Sequence, residues 1–165
     1  MSERKESIQT LYNLLAKEVL DKKHWDLPLV EKDAKLSMVL VVLSGTDHAW
    51  VVNSPGSKKL LGVLTESDIL KALAPKRKIT YFGLPTKEAM FWEFHETAEH
   101  IMSREPLRCK PGEKVKDLLD KMLTHRVSHI AVVDNSKIVG EVTLHNLIVL
   151  MKYFLPRAMA EKSEE

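Results

Sequence analysis

Two short stretches carry residues spaced for chemistry. Gly62-Val63-Leu64-Thr65-Glu66-Ser67-Asp68 puts a hydroxyl and a carboxylate three residues apart, where an apolar run gives way to an amphipathic one. The run reads as a strand. Thr65 followed by Asp68 reads as the N-cap and third position of a helix, the Asp form of a capping box. On this stretch alone the plain reading, a helix cap, stands. Gly140-Glu141-Val142-Thr143-Leu144-His145-Asn146 then repeats the pattern, from Gly62 to Gly140 an offset of 78 residues, with Asn146 in the carboxylate's place.

Each stretch closes a hairpin. Trp50-Val51-Val52-Asn53 and the turn formers Ser54-Pro55-Gly56-Ser57 precede the first; Ala131-Val132-Val133-Asp134 and Asn135-Ser136-Lys137 precede the second. A repeat settles architecture before single elements do. Upstream, residues 7–20 predict one amphipathic helix with Ile8, Leu11, Leu14, Leu15 and Val19 on a face and Ser7 as N-cap. Trp25–Val30 predicts an extended edge piece containing Pro28, and residues 34–43 an apolar helix. The helix after Thr65 runs to about Ala74, where Pro75 stops it. In the second half a short helix closes at His100-Ile101-Met102-Ser103. Glu105–Lys110 is extended. Val115, Leu118, Leu119, Met122 and Leu123 mark a helix, and Leu144–Phe154 an almost wholly apolar one.

The expected fold is α+β (α/β-type): two β-α-β-β-α repeats packed sheet to sheet with pseudo-twofold symmetry, since neither repeat can bury its own sheet face. The expected organisation is a leading helix over 1–22, a first repeat over 19–75, an aromatic-rich connection over 76–97, a second repeat over 98–155 and a polar tail over 156–165.

Composition narrows the function classes. The chain has 165 residues, 44% of them hydrophobic, enough for a core. A net charge of +2 is too small to point to nucleic acid, and the cluster Lys76-Arg77-Lys78 reads as a solvated helix end or a phosphate contact. The single cysteine, Cys109, permits no intrachain disulfide and suits a cytoplasmic protein. The charged N-terminus has no apolar core of a secretory signal, and no apolar run approaches a membrane span. The seven histidines show no metal-ligand spacing; His95 and His100 with Glu93 and Glu99 are the nearest approach. Neither a P-loop nor a nucleophile elbow is present, so no metal and no enzyme are expected.

The second half resembles a CBS domain, the cystathionine β-synthase module. The matching text is Ile101-Met102-Ser103, Val115 to Met122, His125-Arg126-Val127-Ser128-His129-Ile130-Ala131-Val132-Val133-Asp134 and Val139-Gly140-Glu141-Val142-Thr143. The block from His48 to Leu70 looks like a more diverged copy, so the pair resembles a Bateman module. The resemblance implies an adenosyl ligand (AMP, ADP, ATP or S-adenosylmethionine) and a disk-shaped homodimer. Carried over by position, Thr65 and Asp68 would hold ribose, while Leu107, Arg108, Cys109, Val127 and Ser128 would line the adenine side. His48 stands where the family often has a phosphate contact; its plain alternative is a solvated residue leading into the strand. The companion site would use Thr143 and Asn146, with Leu29, Val30, Asp47 and His129 as its partners. Hydrogen bonds to a charged group are worth ~1.5–3 kcal/mol against ~0.5–1.5 for neutral ones. A deficit of about 1.4 kcal/mol is tenfold in affinity, so the Asp68 site is expected to be the better one. The expected function is a nucleotide-sensing regulatory module that signals to a separate effector protein. A ligand-free dimeric scaffold is the alternative, and an S-adenosylmethionine sensor a further one.

Overall fold

The computed structural model describes residues 2–20, 27–74 and 96–154. Outside them lie Trp25, Lys76-Arg77-Lys78, the aromatics Tyr81, Phe82, Phe91, Trp92 and Phe94, the Glu93/His95 pair and the tail. The chain divides into two units: Pro28–Pro106, and a discontinuous one made of Met1–Leu27 and Leu107–Glu165.

In the continuous unit the central strand is β2 (His48–Val52), buried at all five positions. A strand with no alternation is covered on both faces. It pairs in parallel with β1 (Leu29–Glu31), Val30 opposite Val51, and antiparallel with β3 (Leu60–Thr65), His48 opposite Thr65. β1 is thus an edge, as Pro28 requires, and the Pro28 carbonyl accepts from the Trp50 amide at 2.7 Å. α3 (Leu36–Leu43) buries Leu36 and Val39. α4 (Glu66–Leu73) ends at Ala74, whose extended ψ of 133° is the conformation favoured ahead of a proline. The core is Val30, Val39, Ala49, Val51 and Leu64, completed by Ala98 of the short helix α5 (Ala98–Ile101) and by Met102, its C-cap. α5 opens the second repeat in sequence, yet it is held to the first repeat's hairpin. The Ala98 amide donates to the Ala34 carbonyl at 2.8 Å, and Val63 and Ser103 exchange both backbone bonds, at 3.0 and 2.9 Å. Gly62 permits this approach. A β-carbon there would lie 2.7 Å from the Ser103 carbonyl oxygen and 2.5 Å from Met102 Sδ.

The discontinuous unit repeats the plan. β4 (Arg108–Cys109) pairs in parallel with β5 (His129–Asp134), which pairs antiparallel with β6 (Lys137–Thr143). α6 (Val115–His125) contributes Val115, Leu118 and Met122 to the core, and α7 (Leu144–Phe154) contributes Leu147. The single helix expected over 7–20 is instead two. α1 (Ser2–Asn13) starts ahead of Ser7, which is therefore interior and not an N-cap, and α2 (Ala16–Val19) follows a break at Leu14–Leu15. Backbone pairing causes the break. Leu15 bridges Lys114, the Val115 amide donates to the Leu14 carbonyl at 2.8 Å, and the Ala16 amide donates to the Glu113 carbonyl at 2.8 Å. Those bonds replace helical ones, and Leu11, Ala16 and Val19 still reach the core.

Candidate functional site

Asp68 is the most deeply set carboxylate among the described residues, 6% exposed. α4 carries it there because Thr65 ends β3 in extended conformation (φ −132°, ψ 167°) and starts the helix. Asp68 Oδ2 accepts from the Thr65 amide at 3.0 Å and from the Thr65 hydroxyl at 2.8 Å. Oδ1 accepts from the Ser103 hydroxyl at 3.2 Å and from Lys71 Nζ at 3.4 Å. A buried anion needs such partners, and four donors meet its acceptor capacity. The capping box expected from Thr65 and Asp68 is therefore formed. Ser103 and Lys71 were not foreseen. Lys71 carries the ordinary i,i+3 helical signal, but Ser103 lies 35 residues from Asp68 and has no local one.

His48 belongs to the same unit, opposite Thr65 across the β2–β3 ladder. It is buried, 4% exposed, and so not the solvated residue of the plain alternative. Its Nδ1 lies 2.9 Å from Asp47 Oδ1, and its ring meets Trp50 edge-on at 5.3 Å.

The other residues proposed from sequence fall in the discontinuous unit. Thr143, Asn146 and Ser128 gather at one end of its sheet: His129 pairs with Thr143, and the Ser128 carbonyl accepts from the Leu144 amide at 2.8 Å. As in the first copy, the threonine accepts from the amide three residues on: the Asn146 amide donates to the Thr143 hydroxyl at 3.0 Å. Val127 and Ser128 are exposed, with the Ser128 hydroxyl 3.0 Å from His129 Nδ1. Leu107 accepts from the Ala131 amide at 3.0 Å, Arg108 points to solvent, and Cys109 turns into the core. Burial, then the charge of Glu113, pushes the Cys109 thiol up to about 12, with Lys121 pulling weakly the other way. Burial would likewise raise the Glu113 carboxyl, but the Lys121 hydrogen bond and charge bring it below its usual value. Arg108, Lys110, Glu113, Asp134, Asn135 and Ser136 line an open cavity of about 560 Å³. It sits at the Asp134–Lys137 turn, the opposite end of the sheet from Thr143.

The CBS domain family matches twice, over residues 16–75 and 98–153. No curated relative matches the sequence. Among solved structures, the CBS domain of a CBS-domain-containing membrane protein from Sphaerobacter thermophilus is similar at a TM-score of 0.66 and 24% identity, covering 90% of this chain and 94% of that one. CBSX2, solved in complex with AMP, is similar at 0.68 and 15%, covering 86% and 98%. The CBS domain pair of protein MJ0100, solved with 5′-methylthioadenosine and S-adenosyl-L-methionine, is similar at 0.63 and 24%, covering 86% and 98%.

Proposed function

The chain belongs to the CBS-domain family and carries two copies of the domain; from that premise we propose that it is a regulatory module that binds an adenine nucleotide and signals to an effector protein through a conformational change. The observation that carries this is the buried carboxylate of Asp68 at the start of α4, beside Thr65, in a chain matched twice by the CBS family. Asp68 takes the ribose hydroxyls, and Thr65 fixes its orientation through the cap. Leu107, Arg108, Cys109, Val127 and Ser128, in the discontinuous unit, are the residues proposed for adenine contact on the family resemblance. His48 is the phosphate-side residue, with Thr143 and Asn146 forming the weaker companion site. The two solved relatives with AMP and with S-adenosyl-L-methionine support an adenosyl ligand. AMP, ADP or ATP is favoured over S-adenosylmethionine because the Lys71 ammonium, 3.4 Å from Asp68 Oδ1, adds positive charge near the proposed ribose site, which suits an anionic ligand better than a cationic one.

A homodimer belongs to the same proposal. Met38, Val41, Leu70, Leu123 and Ile148 are large apolar residues more than half exposed, a pattern that calls for cover. No described helix is long and apolar enough to cross a membrane, and the lone buried Cys109 accords with a cytoplasmic protein.

Calorimetric titration with AMP, ADP, ATP and S-adenosylmethionine, repeated on Asp68→Ala, tests the proposal. Micromolar binding weakened tenfold or more by the substitution is expected. Binding indifferent to it would remove ribose from Asp68. Failure of all four ligands would favour the second function, a ligand-free dimeric scaffold. That function also has an observation in its support: both Asp68 oxygens are already satisfied by the chain's own donors.

A further inference from the structure

The four donors on Asp68 divide by oxygen, and the division sets how a ligand gets in. Oδ2 is committed to the helix cap through both polar groups of Thr65, at 3.0 and 2.8 Å. Oδ1 holds the two longer contacts, Ser103 at 3.2 Å and Lys71 at 3.4 Å. The carboxylate is buried, while the Ser103 and Lys71 side chains above Oδ1 stand at the surface. Oδ1 is therefore the oxygen that an incoming group can reach.

We infer that Ser103 governs ligand capture at Asp68: its hydroxyl occupies the carboxylate oxygen a ribose diol needs, and the ligand binds by displacing it. This rests on the ribose role proposed for Asp68 above. Lys71 is 73% exposed on a flexible stem and yields readily. Ser103 does not drift away in the same manner, because its backbone is bonded twice to Val63 and is seated against Gly62. The hydroxyl is thus held over Oδ1 whenever α5 is docked. It leaves by rotation about χ1 alone, with no backbone movement. The exchange balances: a ribose O–H replaces the serine O–H on Oδ1, and the serine hydroxyl turns to water.

The consequence is a sign that a mere ligand contact would not give. Removing the hydroxyl costs the free protein a bond to a charged oxygen that the bound protein does not use, so affinity rises. The test is calorimetric titration of wild type, Ser103→Ala and Ser103→Thr with AMP, and with S-adenosylmethionine if AMP gives no heat. Ser103→Ala is expected to bind about tenfold tighter or more, the equivalent of one hydrogen bond to a charged group at ~1.5 kcal/mol or above. Ser103→Thr keeps the hydroxyl and is expected within about twofold of wild type. Unchanged or weaker binding by Ser103→Ala, with wild type binding and Asp68→Ala impaired, would overturn the inference and leave the Asp68 site standing. Wild type that binds neither ligand, or Asp68→Ala that binds as well as wild type, would remove the site itself and the inference with it.

Discussion

Replacing Gly62 by alanine is expected to destabilise the protein by about 2–3 kcal/mol, whereas the same change at its repeat counterpart, Gly140, is expected to cost less than about 1 kcal/mol. At Gly62 the new methyl would sit 2.5 Å from Met102 Sδ and 2.7 Å from the Ser103 carbonyl oxygen. Met102 has rotamers to spare, but the carbonyl is backbone, so a side-chain adjustment cannot clear it. Two responses remain. The sheet absorbs the strain, at roughly 1–3 kcal/mol for an overpacked core position. Otherwise Ser103 withdraws, which gives up its two backbone bonds to Val63 and its bond to Asp68. At ~0.5–1.5 kcal/mol for each neutral bond and ~1.5–3 for the charged one, withdrawal costs more. Strain is therefore the cheaper route, and its upper range sets the estimate. At Gly140 the nearest atom is Leu20 Cδ1 at 3.1 Å, the far end of a flexible side chain. A few tenths of an ångström of movement clears it, and alanine also lowers the entropy of the unfolded chain. Urea unfolding of both variants, followed by circular dichroism at matched m-values, reads the difference. Equal destabilisation, or a larger loss at Gly140, would refute the close approach of Ser103 to β3.

Three further outcomes are expected. Arg126 caps α6 in the left-handed region (φ 55°, ψ 44°); Arg126→Gly removes a Cβ penalty and should stabilise by about 1 kcal/mol, seen as a rise in Tm. Cys109 should resist a thiol reagent at pH 8 until denaturant is added. Burial pushes its folded pKa up to about 12, above the ordinary thiol value of 9.0. The stability this gives is therefore full below about pH 9 and lost as pH rises toward about 12, so the alkaline stability loss should shrink in Cys109→Ala relative to wild type. Asn146→Asp restores a charged acceptor beside Thr143, and titration with AMP should then show a second binding event strengthened about tenfold over that of wild type.

Much of the architecture is legible because it is local. The hairpins are written in β-branched runs around Ser54-Pro55-Gly56-Ser57 and Asn135-Ser136-Lys137, and the Thr65–Asp68 cap spans one helical turn. What escapes the sequence is non-local backbone pairing. The hydrophobic spacing from Ile8 to Val19 continues without a fault, so nothing in it marks the break at Leu14–Leu15; the cause is a segment about a hundred residues away at Glu113–Val115. Likewise, Ala98 and Met102 look like the start of their own repeat, yet they complete the core around Val51 and Leu64. Ser103 reaches Asp68 only because of that exchange. His48 misleads for a different reason. A polar residue leading into a strand is usually wet, and only the tertiary fold buries it against Asp47 and Trp50.

The exchange of opening segments also fixes a timetable. Leu11, Ala16 and Val19 emerge early from a ribosome, but the residues they pack against extend as far as Leu147. The unit from Pro28 to Pro106 is contiguous and holds all its partners once α5 has been made. At about 5–20 residues per second, the first helices wait on the order of ten seconds for their sheet, while the inserted unit can complete itself. The segment made ahead of the inserted unit thus belongs to the unit that closes after it. Until then its apolar face, with Leu11 and Val19, stands uncovered.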